Sequence, residues 1–192
     1  MSKIQESKNI TRLSKLILFC ILLSLCRYGF FSDKGWANQP DEYPSTPEGV
    51  VQKFCKLDDE GKRLASDTWG SIVPFVTWPE EAGDMIFVIA GFKVGRATIA
   101  DTTAKVPVEY KVLGSTDFIE FLEATQKRAT PYVYNLIKQI GKWKIQGPVS
   151  APHVHWETAI AHLKEIQRSE PVRKEQLELI IQKIMKAKER VK

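Results

Sequence analysis

The sequence predicts an α+β fold, with helices toward the two ends of the chain and antiparallel strands between them. Three observations carry this expectation. Val50, Val51, Phe54 and Leu57 recur at helical spacing. Val106, Val108, Tyr110 and Val112 alternate with Pro107, Glu109 and Lys111, the period of two of a strand with one buried face. The helical period then returns in Trp156, Ile160, Leu163 and Ile166, and again in Leu177, Ile180, Ile181 and Ile184.

The first segment is a targeting signal by pattern. Lys3, Lys8, Arg12 and Lys15 precede the apolar run Leu16 to Cys26, and a basic stretch before a short apolar one marks a secretory signal. The run falls short of the roughly 20 residues that a membrane-spanning helix needs. Residues 1–37 are therefore expected to be a signal peptide or an N-terminal membrane anchor. Gly35-Trp36-Ala37 supplies small residues for cleavage before Asn38. Lipid attachment at Cys26 is a rival reading, opposed by the bulky Leu25 one position before it. Retention as an uncleaved anchor is a third. Each places the rest of the chain outside the cytosol, periplasmic or on the extracytoplasmic face of the membrane.

Residues 38–45 read as a linker. Ser45 or Thr46 then caps a helix, with Pro47 at its first position and Glu48 in its first turn. Asp58-Asp59-Glu60-Gly61 is expected to end the apolar stripe and bend the chain. Leu64, Trp69, Ile72, Val73 and Phe75 suggest a second short helical stretch ended by Pro74 and Pro79. Met85 to Ala90 is a β-rich run bounded by Gly83-Asp84 and Gly91, and Val94 to Ile99 is its expected partner strand. Ala100-Asp101-Thr102 reads as a turn. Pro107 points to an edge or a bulge. Phe118 to Lys127 reads as a helical or looped insertion. Tyr132 to Ile140 is a strand that turns at Gly141-Lys142 into Trp143-Lys144-Ile145, a hairpin by composition. Pro148, Ser150 and Pro152 stop the sheet, and amphipathic helices start near Trp156 and Pro171.

Charge and cysteine content narrow the function classes. The net charge is +5, with 28 Lys and Arg against 23 Asp and Glu. Residues 1–37 hold six of those bases and two of the acids, which leaves 22 bases against 21 acids. A near-neutral remainder lacks the basic footprint of a nucleic-acid binder. The tail from Lys183 to Lys192 is the remaining basic cluster; such a run at a helix end reads as a solvated face, with contact to acidic lipid or a partner as the alternative. Cys20 and Cys26 lie in the targeting segment, so Cys55 is left without an internal partner and is expected to be buried.

Thr46-Pro47-Glu48, Val106-Pro107-Val108-Glu109-Tyr110, Tyr134-Asn135-Leu136-Ile137-Lys138 and Gly141-Lys142-Trp143-Lys144-Ile145 together resemble the nuclear transport factor 2-like superfamily. That superfamily also contains ketosteroid isomerase-like and SnoaL-like proteins. The resemblance spans Ser45 to Pro148. It implies N-terminal helices packed on a strongly bent antiparallel sheet, a cone with a pocket at its open end. Residues 46–149 would form that domain and residues 150–192 a C-terminal helical extension. Enzymes of the superfamily hold an Asp base and acidic or phenolic donors in the pocket, tuned by burial. Those positions do not map onto this chain residue by residue. Asp101 and Glu109 read as solvated, so no catalytic residue and no cofactor is assigned.

Two groups of side chains are candidates for binding. Trp69, Trp78, Tyr110 and Tyr134 are the aromatics that would line a pocket on this fold, because Tyr and Trp carry a polar handle on an apolar body. Their competing role is ordinary core. His153-Val154-His155, with Glu157 or His162 to complete the set, is a weak candidate for zinc. Ser71 lacks the flanks of a nucleophile elbow, and Gly91, Gly95 and Gly114 do not assemble a phosphate loop. Three functions follow as expectations. The first is an exported non-catalytic domain binding a small apolar ligand or an envelope protein. The second is an isomerase- or hydratase-type enzyme. The third is an envelope assembly component that forms a homodimer.

Overall fold

Thr46 caps the first helix. Its Oγ1 accepts a hydrogen bond from the Gly49 N–H at 3.1 Å, and Pro47 opens helix α1, Pro47–Asp59. The computed structural model describes residues 43–79, 84–125 and 131–191. The expected signal segment, its cleavage point at Ala37, Cys26 and most of the 38–45 linker lie outside them. The described residues from Tyr43 onward belong to one compact unit.

After α1 come two 3-10 segments, Ser66–Ser71 and Val73–Phe75, in place of the expected second helix. Pro74 sits inside the second segment and does not end it. The strands are β1 Ile86–Val94, β2 Thr98–Ala100, β3 Thr103–Thr116, β4 Phe121–Glu123, β5 Tyr132–Gln139, β6 Lys142–Gly147 and β7 His153–His155. Helices α2, Trp156–Ser169, and α3, Lys174–Glu189, close the chain with a 3-10 turn at Pro171–Arg173 between them.

The described strands form one strongly curled, half-barrel sheet in the order β6-β5-β3-β1-β7, with β2 and β4 also pairing with β3. The sheet is mixed, not antiparallel throughout. The short strand β7 runs parallel to β1, with Phe87 opposite His153 and Ile89 opposite His155. The chain reaches that position after the Pro148–Pro152 stretch, where the sequence marks only a stop. The expected strand Val94–Ile99 is split. Its first residue ends β1, and β2 begins at Thr98. The expected insertion after Phe118 contains β4, which pairs with the end of β3.

Pro107 is in the central strand of this sheet, not on an edge strand. Gly95 N–H donates to the Pro107 carbonyl at 2.7 Å, just past the end of β1. An extended residue directs its N–H and C=O to the same side. The missing donor of Pro107 therefore faces Gly95, so this pair makes one of its two ladder bonds at the point where β1 ends.

Irregular pairing between β1 and β3 bends the sheet. Register shifts fall between Val88 and Ile89 and between Ile89 and Phe92. They swap the buried face along both strands. Ala104, Val106, Val108 and Tyr110 of β3 pack with Val50, Val51, Phe54 and Cys55 of α1. Leu113, at the second shift, packs with Ile86, Val88, Leu163, Leu177, Ile180 and Ile184 on the opposite face. The described residues thus form two apolar cores, one on each face of the curled sheet. Helices α2 and α3 bury their apolar stripes on their own sheet. Arg190 clamps α3 to β4 through both Glu123 carboxylate oxygens, at 2.6 and 2.8 Å.

The β5–β6 hairpin closes with the two-residue turn Ile140-Gly141, in which both residues have positive φ, 48° and 77°. This pair of angles matches the turn that suits the twist of the flanking strands.

Candidate functional site

Asp58 lies on the buried stripe of α1. It follows Val51, Phe54 and Cys55 by seven, four and three residues, so helical geometry carries it inward with them. The chain does end its helix and bend at Glu60-Gly61, as expected, but Asp58 itself belongs to the buried stripe. Asp58 is fully buried. A buried carboxylate needs partners, and the chain supplies them from two directions. Arg63, on the turn after α1, places Nη1 3.5 Å from Asp58 Oδ2. The backbone N–H of His153, at the start of β7, donates to the same oxygen at 2.9 Å. Arg63 Nη2 also donates to the Ser150 carbonyl at 2.7 Å, tying the α1 turn to the segment before β7.

The His153 ring is held by stacking. The Tyr110 ring lies parallel to it with centroids 3.9 Å apart, and Phe87 stacks beside it at 5.0 Å. Tyr110 continues the polar chain inward. Its hydroxyl is 2.9 Å from the Tyr134 hydroxyl and 3.2 Å from Cys55 Sγ. A line of polar groups therefore runs from Arg63 through Asp58 and His153 to the Tyr110–Tyr134–Cys55 trio, inside an otherwise apolar core. Four of its neighbouring atoms are buried without a hydrogen-bond partner: Asp58 Oδ1, Arg63 Nε, His153 Nδ1 and Trp78 Nε1.

Burial sets the electrostatics. Asp58 is pushed up to about 7, chiefly because burial penalises its charge, with the Arg63 guanidinium working against that. His153 is pushed down to about 4 by burial and by the Arg63 charge. The usual order of the two groups is inverted, so near neutral pH the proton belongs to the carboxyl before the imidazole. Cys55 is pushed up to about 12 by burial, which keeps it a thiol. Burial also raises Tyr110 and Tyr134, so both remain neutral donors.

The aromatics singled out from sequence gather around this line. Phe54 is the hub: Trp78 meets its ring edge-on at 6.1 Å, and Tyr134 does so at 5.6 Å. The Arg63 guanidinium sits 5.7 Å from the Phe54 ring centre and 5.9 Å from that of Trp69. Trp69, Tyr110 and Tyr134 are buried, while Trp78 and Tyr132 are half-buried. Asp58 and Arg63 were the pair that sequence reasoning passed over. The available signal was a carboxylate in phase with the apolar stripe of α1, followed by an arginine five residues on.

The His-x-His candidate forms strand β7, and its last residue, His155, is also the N-cap position of α2 without a side-chain capping bond. His153 is in the aromatic stack, whereas His155 lies 3.7 Å from Glu157 and is partly exposed. His162 sits on α2 against the Phe118 ring. Among the described residues, no group of three His, Cys, Asp or Glu side chains is placed to hold a metal ion. An open surface groove of about 530 Å³ lies away from this site, past Lys164, Gln167, Arg168, Pro171 and Lys174.

No protein-family model, no curated protein and no solved structure matches this chain.

Proposed function

We propose that this chain is an exported, non-catalytic binding domain of the bacterial envelope. It holds a small, mostly apolar ligand with one hydrogen-bonding group on the α1 side of its curled sheet. One observation carries this reading: Asp58 Oδ1, Arg63 Nε and His153 Nδ1 are buried together without partners. Native interiors rarely leave such atoms unsatisfied, so three of them on neighbouring side chains support a place where a hydrogen-bonding group fits. A water with two or three partners is the least occupant. A ligand hydroxyl or carbonyl that reproduces those bonds displaces it favourably, while Phe54, Trp69, Trp78 and Tyr134 accommodate the apolar part. The half-buried Trp78 and Tyr132 form the rim. A cone-like domain of the nuclear transport factor 2-like kind, anchored or released by the N-terminal segment, is the architecture this reading assumes. The curled sheet with α1 packed across it supports that assumption.

One observation favours the isomerase- or hydratase-type reading second. Asp58, near 7, and a neutral His153 stand side by side, a pair able to take and return a proton at neutral pH. The α2–α3 pair, already buried on its own sheet, gives the dimeric assembly reading less support.

Native mass spectrometry of the gently purified protein tests the proposal. Binding predicts a species heavier than the bare chain, lost in Asp58→Asn with the fold retained. Bare mass in both would count against it.

A further inference from the structure

The outward face of β3, β5 and β6 is the half of the sheet that α2 and α3 leave bare. The register identifies its residues. Lys105 lies opposite Asn135, Pro107 opposite Val133, and Ile137 opposite Lys144. Lys111 and Lys93 extend it toward β1, and Lys142 stands at its edge. Val133 is 40% exposed at its centre, with Pro107 and Ile137 partly exposed beside it. Glu109, opposite Lys93, is the one carboxylate among the outward residues of these strands. Four lysines, Lys93, Lys105, Lys111 and Lys144, thus ring a small apolar centre, while the Lys142 ammonium turns onto the Tyr43 ring at 5.0 Å, on a chain whose bases and acids nearly balance beyond residue 37.

We propose that this face docks on the anionic surface of a phospholipid bilayer. Charge complementarity selects the occupant: a second copy would set these lysines against one another, whereas anionic headgroups attract all four. The apolar centre suits shallow contact with the headgroup boundary. Chain length points the same way. The stretch from Arg27 to Tyr43 reaches at most about 55 Å, so an N-terminal segment held in the bilayer keeps this face near it at high effective concentration. The tether rests on the membrane-directed reading of residues 1–37, but the charge of the face does not.

The test is lysine-reactive footprinting of the full chain with vesicles of phosphatidylcholine, alone or mixed with phosphatidylglycerol, read residue by residue by mass spectrometry. Flotation with neutral vesicles reports the N-terminal segment, and protection of individual lysines reports the face, so either can fail alone. Docking predicts that Lys93, Lys105, Lys111 and Lys144 react roughly threefold or more slowly with the anionic vesicles. Lys164, Lys174 and Lys183 should be unchanged, and high salt should erase the difference. Equal reactivity on neutral and anionic vesicles overturns the proposal. So does protection confined to the helical lysines. Protection that grows with protein concentration without vesicles assigns the face to a second copy. Protection that appears only with added polyglutamate assigns it to an acidic protein. Both of these also overturn it.

Discussion

Asp58 accepts the backbone N–H of His153 at 2.9 Å, while the imidazole Nδ1 of the same residue stays 3.9 Å from that oxygen. Helix α1 and strand β7, 95 residues apart, are thus joined through the backbone, and the ring is left free of the carboxylate.

This arrangement sets a pH profile. The raised pKa of Asp58 contributes stability that is complete below about 3.8 and lost as pH rises through about 7. The depressed pKa of His153 contributes stability present above about 6.5 and lost as pH falls through about 4. Between about pH 4 and 6.5 the folded chain keeps a proton on Asp58 where the unfolded chain keeps one on His153, so the pair adds no slope. Asp58→Asn removes one side of that balance. Its stability by urea unfolding should climb by about 3 kcal/mol from pH 4 to 6.5, while the wild type stays nearly level. Parallel profiles for the two proteins would show that the two groups do not titrate as a buried pair.

Cys55 should be inert in the folded protein. Its thiol is buried, bonded to Tyr110 and pushed up to about 12. Alkylation followed by peptide mapping should find Cys55 unmodified under native conditions and modified in denaturant. Native modification at a rate near that of a free thiol would mean that the α1–β3 core opens.

Ile140→Asn should stabilise the chain. Ile140 is fully exposed at φ 48°, a left-handed conformation that a β-branched residue adopts under strain and Asn adopts readily. A gain of about 0.5–1 kcal/mol in thermal or urea unfolding is expected. A loss would mean that the turn is not of this type.

Gly114→Ala should destabilise by about 2 kcal/mol or more, because over-packing against fixed atoms forces the backbone apart. A Cβ there would lie 2.3 Å from the Leu122 carbonyl oxygen and 2.4 Å from Phe121 Cζ. Both belong to β4, so the variant should also lose amide protection in Phe121–Glu123 first. Unchanged stability would place β4 away from β3.

Much of the fold was legible because local rules agree with it. The Thr46 cap, the α1 stripe and the alternation of Val106 to Tyr110 are set by neighbours in sequence, while the hairpin turn falls at Ile140-Gly141, one residue before the expected Gly141-Lys142. What stayed hidden depends on distant residues. The three residues of β7 show no period, and their strand geometry comes from pairing with β1. The β1–β3 irregularities are likewise a property of two strands, not of either alone. The candidate site was half legible. Aromatic chemistry marked Trp69, Trp78, Tyr110 and Tyr134, but Asp58 read as a surface charge. Its burial makes sense only once Arg63 and the His153 backbone are brought to it.

A crystal structure of the protein purified without added ligand tests the binding reading most directly. The account predicts connected density larger than water within hydrogen-bonding distance of at least two of Asp58 Oδ1, Arg63 Nε and His153 Nδ1, in contact with Phe54 or Trp78. Side chains that satisfy one another directly, with no density between them, would contradict it.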